Sequence, residues 1–167
     1  PTRFELTPAA KGARRLAGVA LGYLAASGTL DAATIAYERF QHADNMTDRQ
    51  SALGVLANGT SAERDRALAQ FYDRYANDPL VIDKWFSVQA MSIRDDTPER
   101  VAMLAHHPAF TISNPNRLRA LVGVFAANQR AFHSLSGRGY GFVADMILAS
   151  DRINPQTAAR LIPPCGR

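Results

Sequence analysis

Residues 60–75 read TSAERDRALAQFYDRY, and this stretch decides the fold class. Its large apolar side chains recur at the i, i+3, i+4, i+7 spacing of one helix face, and they are Leu68, Phe71, Tyr72 and Tyr75. Thr60 and Glu63 stand three residues apart at its start, which is the spacing of an N-terminal capping box. No alternating strand pattern competes with such helical segments elsewhere in the chain. The sequence therefore predicts an all-α protein.

Start signals of the same kind recur on both sides of this helix. A capping side chain is followed by proline, which predicts a helix start, at Thr7–Pro8, Asp78–Pro79, Thr97–Pro98, Asn114–Pro115 and Asn154–Pro155. The first helix is expected to end near residue 26, at Ser27 and Gly28. Further helices are expected over 31–43 and from a capping box at Thr47 and Gln50 to residues 58–59. Helices of this length with short connections favour antiparallel neighbours, in a bundle or in a stack of helix pairs.

The composition indicates one ordinary globular domain over residues 1–167. The chain has 47% apolar residues, 20% charged residues and a single cysteine, Cys165, so neither a disulfide framework nor a cysteine-rich zinc site can form. Its longest apolar run, residues 16–26, is shorter than the roughly 20 residues of a membrane span. We expect a cytoplasmic protein without membrane contact, and the start at Pro1 suggests a piece of a longer chain.

The positive charge lies in the last third of the chain. Residues 101–167 contain seven arginines and only two acidic residues, Asp145 and Asp151. Guanidinium groups suit carboxylate or phosphate partners, although an arginine-rich composition also arises from genome base composition. The arginines are scattered instead of clustered among aromatic residues, so we do not expect a nucleic-acid partner.

No catalytic centre is visible in the residues themselves. His106 and His107 are adjacent, so on a helix they point about 100° apart, and we interpret them as a helix C-terminal pair instead of metal ligands. The glycine-rich stretch 133–141 follows no predicted strand and lacks a phosphate-binding ending, so we interpret it as a tight turn between helices. Trp85 and Phe86 are interpreted as core. We expect no metal and no cofactor in this chain.

One pair of side chains has the character of a binding site. With Asn154 as N-cap, Gln156 and Arg160 lie four residues apart on one face of a helix start. A cation near a helix N-terminus is disfavoured by the helix dipole, so Arg160 requires a reason. Together with free backbone N–H groups the pair could bind a carboxylate or a peptide carbonyl. The alternative is a structural arginine paired with Asp151.

Several strings resemble the C-terminal domain of bacterial aminopeptidase N, in order and in spacing, from about residue 13 to residue 162. They are Asn45–Asp48, Asp83–Phe86 with Gln89 and Ala90, Phe110–Arg117, Ala131–His133, Gly139–Tyr140, and Asn154–Gln156 with Ala158, Arg160 and Leu161. The resemblance implies an incomplete C-terminal capping domain of an M1-family zinc metallo-aminopeptidase, built as a superhelix of stacked helix pairs similar to HEAT or armadillo arrays.

In this family the zinc and the catalytic motifs belong to an earlier domain, which the resemblance implies as the partner of this chain. The C-terminal domain covers the active-site chamber, limits access and contacts the peptide substrate. Gln156 and Arg160 match family positions at the chamber wall, so the resemblance implies that they bind substrate. Asn116 and Arg117 are weaker candidates, because their string could equally cap and anchor a helix. The alternative hypothesis is a helical-repeat scaffold that binds protein or RNA without any peptidase.

Overall fold

A computed structural model describes residues 5–28 and 31–166 of the chain, which leaves Pro1 and Arg167 outside the described residues. Contacts divide the chain into two compact units, residues 1–74 and 75–167. Every regular element in the described residues is helical, so the all-α prediction is confirmed.

In the described residues of the first unit the helices are α1 (Pro8–Ala26), α2 (Ala32–His42), α3 (Met46–Ala57) and α4 (Ala62–Tyr75), of which only Tyr75 falls in the second unit. Helix α2 packs along α3, and α1 lies against both. Phe40 and Phe71 are buried with their ring centroids 6.4 Å apart, so the apolar face predicted for residues 60–75 does enter the core. Tyr72 and Tyr75 lie at the edge of that face and are half-buried.

The second unit contains α5 (Pro79–Ala90), α6 (Thr97–Leu104), α7 (Pro115–Leu118), a π-helical turn (Arg119–Gly123), α8 (Val124–Ala126), α9 (Gln129–Phe132), α10 (Arg138–Asp151), α11 (Pro155–Ala159) and a 3-10 turn (Pro163–Gly166). The prediction that Trp85 and Phe86 are core is confirmed, since they are 7% and 0% exposed. Phe125 and Phe132 are also fully buried and meet edge to face at 5.9 Å. These aromatic residues form the centre of the unit.

The π-helical turn interrupts the helix that begins at Pro115. Val124 N–H donates to the carbonyl of Arg119, five residues back, where an α-helix would use the carbonyl of Ala120. The hydroxyl of Ser87 lies 3.0 Å from that Ala120 carbonyl oxygen and 2.8 Å from the Asp83 carbonyl oxygen, so its one proton is shared between the two. Helix α5 therefore supplies a donor to a backbone group that the π-helical turn deprives of its α-helical partner.

Four of the five predicted starts that combine a cap with proline are confirmed. Helix α1 begins at Pro8 with Thr7 as N-cap, and α5, α7 and α11 begin at proline after Asp78, Asn114 and Asn154, whose side chains accept backbone N–H groups. The start at Thr97 is shifted by one residue, because Asp96 is the N-cap and the Thr97 hydroxyl donates to the Ser92 carbonyl.

Both predicted capping boxes are wrong in register. Helix α3 begins two residues early, because Asn45 caps it by accepting the Asp48 N–H at 2.9 Å, while its own amide donates to the Asp48 carboxylate. Helix α4 begins at Ala62. There the backbone N–H of Glu63 and the hydroxyl of Ser61 hydrogen-bond the Glu63 carboxylate and hold its pKa below the ordinary value. At α3 the reciprocal hydrogen bonds between Asn45 and Asp48 select the cap, and at α4 the Glu63 carboxylate bonds Ser61 where the capping box expected Thr60.

The glycine-rich stretch 133–141 is only partly a turn. Gly137 has φ +69°, in the left-handed region that glycine tolerates, and it precedes α10. Gly139 and Gly141 already belong to the first turns of that helix. A Cβ at Gly139 would lie 2.6 Å from the carbonyl oxygen of Phe132, so glycine is required there for close packing.

Candidate functional site around helix α11

Helix α11 is a short helix whose position is fixed by the end of α10. The carbonyl of Ser150 accepts N–H groups from Ile153 and Asn154 at 3.0 and 2.8 Å, which turns the chain sharply. The side chain of Asn154 then accepts the N–H of Thr157 at 3.1 Å. Ala158, on the inner face of α11, is buried. The sequence therefore determines both where α11 starts and which of its faces is covered.

The two side chains predicted to bind substrate lie on the uncovered face. Gln156 and Arg160 are both exposed, whereas Ala158 and Leu161 are 2% and 5% exposed. The i, i+4 spacing keeps the amide and the guanidinium on one side of the helix. The expectation that Arg160 lies near a helix N-terminus is wrong, because α11 ends at Ala159 and Arg160 is its C-cap, where the helix dipole favours a cation. Both groups can therefore be reached from solvent.

The structure does not pair Arg160 with Asp151, which was the alternative to a binding role. Across residues 5–28 and 31–166, neither Gln156 nor Arg160 takes part in a side-chain hydrogen bond or an ion pair. An exposed guanidinium in water retains all of its donors for a ligand. This geometry leaves the pair available without showing what it binds.

A second exposed arginine lies beside α11, and the sequence alone did not single it out. The Arg119 side chain donates to the Asn116 side-chain oxygen at 3.0 Å, and both residues are exposed. Arg119 and Leu161 both approach Gly123, where an added Cβ would lie 3.3 Å from Arg119 Cγ and 3.7 Å from Leu161 Cδ2. The stem of the Arg119 side chain thus lies near Leu161, the residue that follows Arg160. The i, i+3 spacing of Asn116 and Arg119 is the sequence signal from which this side-chain pair could have been predicted.

Arg117, the other weaker candidate, is buried and held by several partners. Its Nε donates to Asp83 Oδ1 at 2.5 Å, and its two terminal nitrogens donate to the carbonyls of Ala109 and Pro79. The guanidinium also lies over the Phe86 ring at 5.1 Å. With 6% of its surface exposed, Arg117 ties α5 and the 105–114 loop to α7. This arrangement is that of an anchor, which was the alternative role considered for its string.

The histidine pair lies just beyond the end of α6. A ring nitrogen of His106 lies 2.9 Å from the Ala102 carbonyl, whereas His107 Nδ1 accepts the N–H of Ala109 at 3.1 Å. Burial, with a smaller contribution from the nearby Arg117 charge, lowers the pKa of His107. The two imidazoles therefore have separate partners.

The described residues do not fit a zinc site. No group of three or more His, Cys, Asp or Glu side chains in that part of the chain could hold a metal ion. The same described residues contain no helix long and apolar enough to cross a membrane.

Comparison with known proteins identifies relatives over almost the whole chain. A family model described as "Domain of unknown function (DUF3458_C) ARM repeats" matches residues 1–167. The chain is 42% identical over 164 residues to aminopeptidase N of Caulobacter vibrioides, which is 98% of this chain and 19% of that protein. It is 40% identical over 155 residues to aminopeptidase N of Escherichia coli, which is 92% of this chain and 18% of that protein.

A solved structure shows the same fold. The crystal structure of Legionella pneumophila aminopeptidase A in complex with aspartic acid matches with a TM-score of 0.88 and 39% identity, over 96% of this chain and 19% of that one. The chain thus spans less than a fifth of the length of these relatives. The ARM-repeat description agrees with the helix-pair architecture expected from the sequence.

Proposed function

The chain belongs to the ARM-repeat family found as the C-terminal domain of aminopeptidase N, and from this premise we propose that it is the non-catalytic cover of a zinc aminopeptidase. In this proposal both compact units form one domain that covers the active-site chamber and limits the substrates that enter. The zinc and the residues that hydrolyse the peptide bond belong to the catalytic domain, which is the partner of this chain. We assign no metal-dependent step to the residues described above.

The proposal gives Gln156 and Arg160 the role of peptide contacts. The observation that carries it is their exposure, without internal partners among the described residues, on a helix whose opposite face is buried through Ala158. A guanidinium suits a carboxylate, and a glutamine amide can both donate to and accept from a peptide group. We therefore propose that Arg160 binds the C-terminal carboxylate of a short peptide and that Gln156 binds its backbone.

The charges of the second unit give no support to a polyanion-binding role. Three arginines of the last third are paired with acidic residues from earlier in the chain, in the pairs Arg117–Asp83, Arg130–Asp95 and Arg138–Glu99. The excess of positive charge seen in residues 101–167 is therefore partly neutralised by folding. The proposal includes no nucleic-acid partner. It places the protein in the cytoplasm, in keeping with a single cysteine that cannot form an internal disulfide.

The test is Arg160→Ala in the complete protein that carries this chain. We would measure kcat/KM with a peptide that has a free C-terminal carboxylate and with its amidated twin. A charge-assisted hydrogen bond of about 1.5–3 kcal/mol predicts a loss of roughly ten- to a hundred-fold, concentrated in the free-carboxylate peptide. Arg160→Lys should restore part of the difference, because the charge is retained.

The matched control is Arg15→Ala, which removes another exposed arginine in the first unit. It should leave kcat/KM unchanged for both peptides. Equal losses on the carboxylate and amide peptides with Arg160→Ala would show that Arg160 does not recognise the carboxylate.

A further inference from the structure

A pocket lies in the 75–167 unit, at the opposite end of α10 from α11. It has a volume of about 400 Å³, and we call it the 94–138 pocket because it is lined by Arg94, Asp95, Pro98, Glu99, Arg130, Ala131, Ser134, Ser136 and Arg138. Helix α10 has 14 residues, so its two ends are about 20 Å apart. The pocket is therefore distinct from the surface of Gln156 and Arg160.

The two walls of this pocket differ in charge, although the acidic wall also carries Arg94. One wall comes from the start of α6 and includes the carboxylates of Asp95 and Glu99. The other comes from α9 and the start of α10 and includes the guanidinium groups of Arg130 and Arg138. Arg94 adds a third guanidinium, fixed by two hydrogen bonds to Asp96 at 2.7 and 2.8 Å. The pocket thus offers both signs of charge across a space of small-molecule size.

The frame that holds these walls is rigid. Asn128 is buried, and its amide donates to the carbonyls of Ala90 and Ser92 at 3.0 and 2.8 Å, while its oxygen accepts the N–H of Ala131 at 3.2 Å. One side chain therefore links the segment before the acidic wall to the helix of the basic wall. A fully satisfied buried polar network of this kind fixes the backbone around it.

A second contact fixes the basic wall. His133 and the Tyr140 hydroxyl are hydrogen-bonded at 2.6 Å, across the 134–138 loop. The close approach of Gly139 to the Phe132 backbone packs the start of α10 against α9. A preorganised backbone lowers the entropy cost of binding a ligand.

The side chains inside this rigid frame are held only weakly. Arg130 and Asp95 are 3.4 Å apart, with side chains 64% and 96% exposed. Arg138 and Glu99 also form an ion pair, and their side chains are 67% and 44% exposed. Exposed ion pairs of this kind add little stability, so a ligand that replaces both partners of a pair gives up little interaction energy.

We propose that the 94–138 pocket binds a free α-amino acid as its zwitterion. The α-carboxylate of the ligand forms ion pairs with the guanidinium groups of Arg130 and Arg138. The α-ammonium forms ion pairs with the carboxylates of Asp95 and Glu99. The Ser134 and Ser136 hydroxyls, which are 2.9 Å apart, supply further polar partners. A simple anion would meet two carboxylates and a simple cation would meet three guanidinium groups, so a ligand with both charges fits best. This site goes beyond the proposed peptide contacts and does not depend on them.

The test is hydrogen–deuterium exchange on the complete protein, with L-leucine as the probe. We expect slower exchange of backbone amides confined to residues 94–99 and 129–138. The two halves of the probe serve as ligand controls: 4-methylpentanoate lacks the ammonium, and 3-methylbutylamine lacks the carboxylate. Neither should protect these segments at the concentration at which L-leucine does. Protection by 4-methylpentanoate equal to that by L-leucine would overturn the proposal, as would no protection by L-leucine.

Variants test the assignment of the charges. Glu99→Gln and Arg138→Gln each remove one charge from a wall, and each should raise the L-leucine concentration for half-protection by roughly ten-fold or more. Arg66→Gln breaks a comparable ion pair with Glu63 in the first unit and is the matched control, expected to change nothing. Unchanged protection in both pocket variants would contradict the proposal. Because the readout is local, its failure is separable from the failure of the Arg160 kinetics.

Discussion

Gly139→Ala is the substitution for which the structure specifies both the sign and the size of the effect. The added Cβ would lie 2.6 Å from the Phe132 carbonyl oxygen and 3.1 Å from its Cα, so the clash is with backbone. Phe132 is fully buried and its helix is capped by Asn128, so neither can move without disturbing the core. Overpacking of this kind costs about 1–3 kcal/mol of unfolding free energy.

The matched control is Gly141→Ala, two residues further along the same helix. Nothing lies within 4 Å of its added Cβ, so the substitution gains helix propensity without a clash. It should stabilise the protein by about 0.5–1 kcal/mol. The two glycine variants are therefore expected to change stability in opposite directions.

Fluorescence of Trp85 during urea unfolding of the 1–167 chain is the assay, because Trp85 is the only tryptophan in residues 1–167 and is buried in the second unit. Subtracting the same helix-propensity gain from the overpacking cost leaves a net loss of about 1 kcal/mol for Gly139→Ala. With a denaturant slope of about 1 kcal/mol per M, the midpoint should therefore fall by about 1 M for Gly139→Ala and rise by about 0.5–1 M for Gly141→Ala. Midpoints that move in the same direction, or an unchanged midpoint for Gly139→Ala, would refute the packing argument.

Three further expectations use the same Trp85 assay. Asn128→Ala leaves the Ala90 carbonyl without its amide donor and the Ser92 carbonyl with only the Thr97 hydroxyl, so it should lower the free energy of unfolding by about 1–3 kcal/mol; an unchanged urea midpoint would contradict this. Arg117→Met leaves the Asp83 carboxylate without its cation and should cost about 3–5 kcal/mol, with part of the loss recovered in the double variant that also carries Asp83→Asn. For His107 the pKa is lowered in the folded state, so the unfolded chain binds a proton more readily; stability is retained above the ordinary pKa of about 6.5 and is lost as the pH falls below it. His107→Gln should make the midpoint less dependent on pH between pH 8 and pH 5, and an equal dependence in both proteins would reject this assignment.

The local signals in the sequence were sufficient for most helices and insufficient for their exact register. Asp78, Asn114 and Asn154 each cap a helix that begins at the following proline, as predicted, whereas Thr97 also precedes a proline and its helix is capped by Asp96. Near residue 47 several capping residues compete, and Asn45 is the N-cap because Asp48 lies where it can return a hydrogen bond. Which residue becomes the N-cap therefore depends on the relative positions of two side chains, and local sequence does not specify these positions.

Contacts between distant parts of the chain were beyond sequence reasoning. Asp83 and Arg117 are 34 residues apart in strings that were singled out separately, and the structure shows that they form one buried ion pair. Asn128 has no distinctive sequence signal, because an asparagine before a short helix is common, although its side chain links two segments. For Gln156 and Arg160 the sequence indicated one shared helix face, and their role with a peptide stays a prediction.

The π-helical turn at Arg119–Gly123 makes this helix tolerant of a change in length. Such a turn holds one residue more than the α-helical turn that it replaces, while the residues before and after keep their faces. Deleting one residue within 119–123 would therefore leave Leu118 and Phe125 directed at the core. The same deletion within α10 would rotate every later side chain by about 100°. When relatives of different length are aligned, a single-residue gap is best placed in this turn.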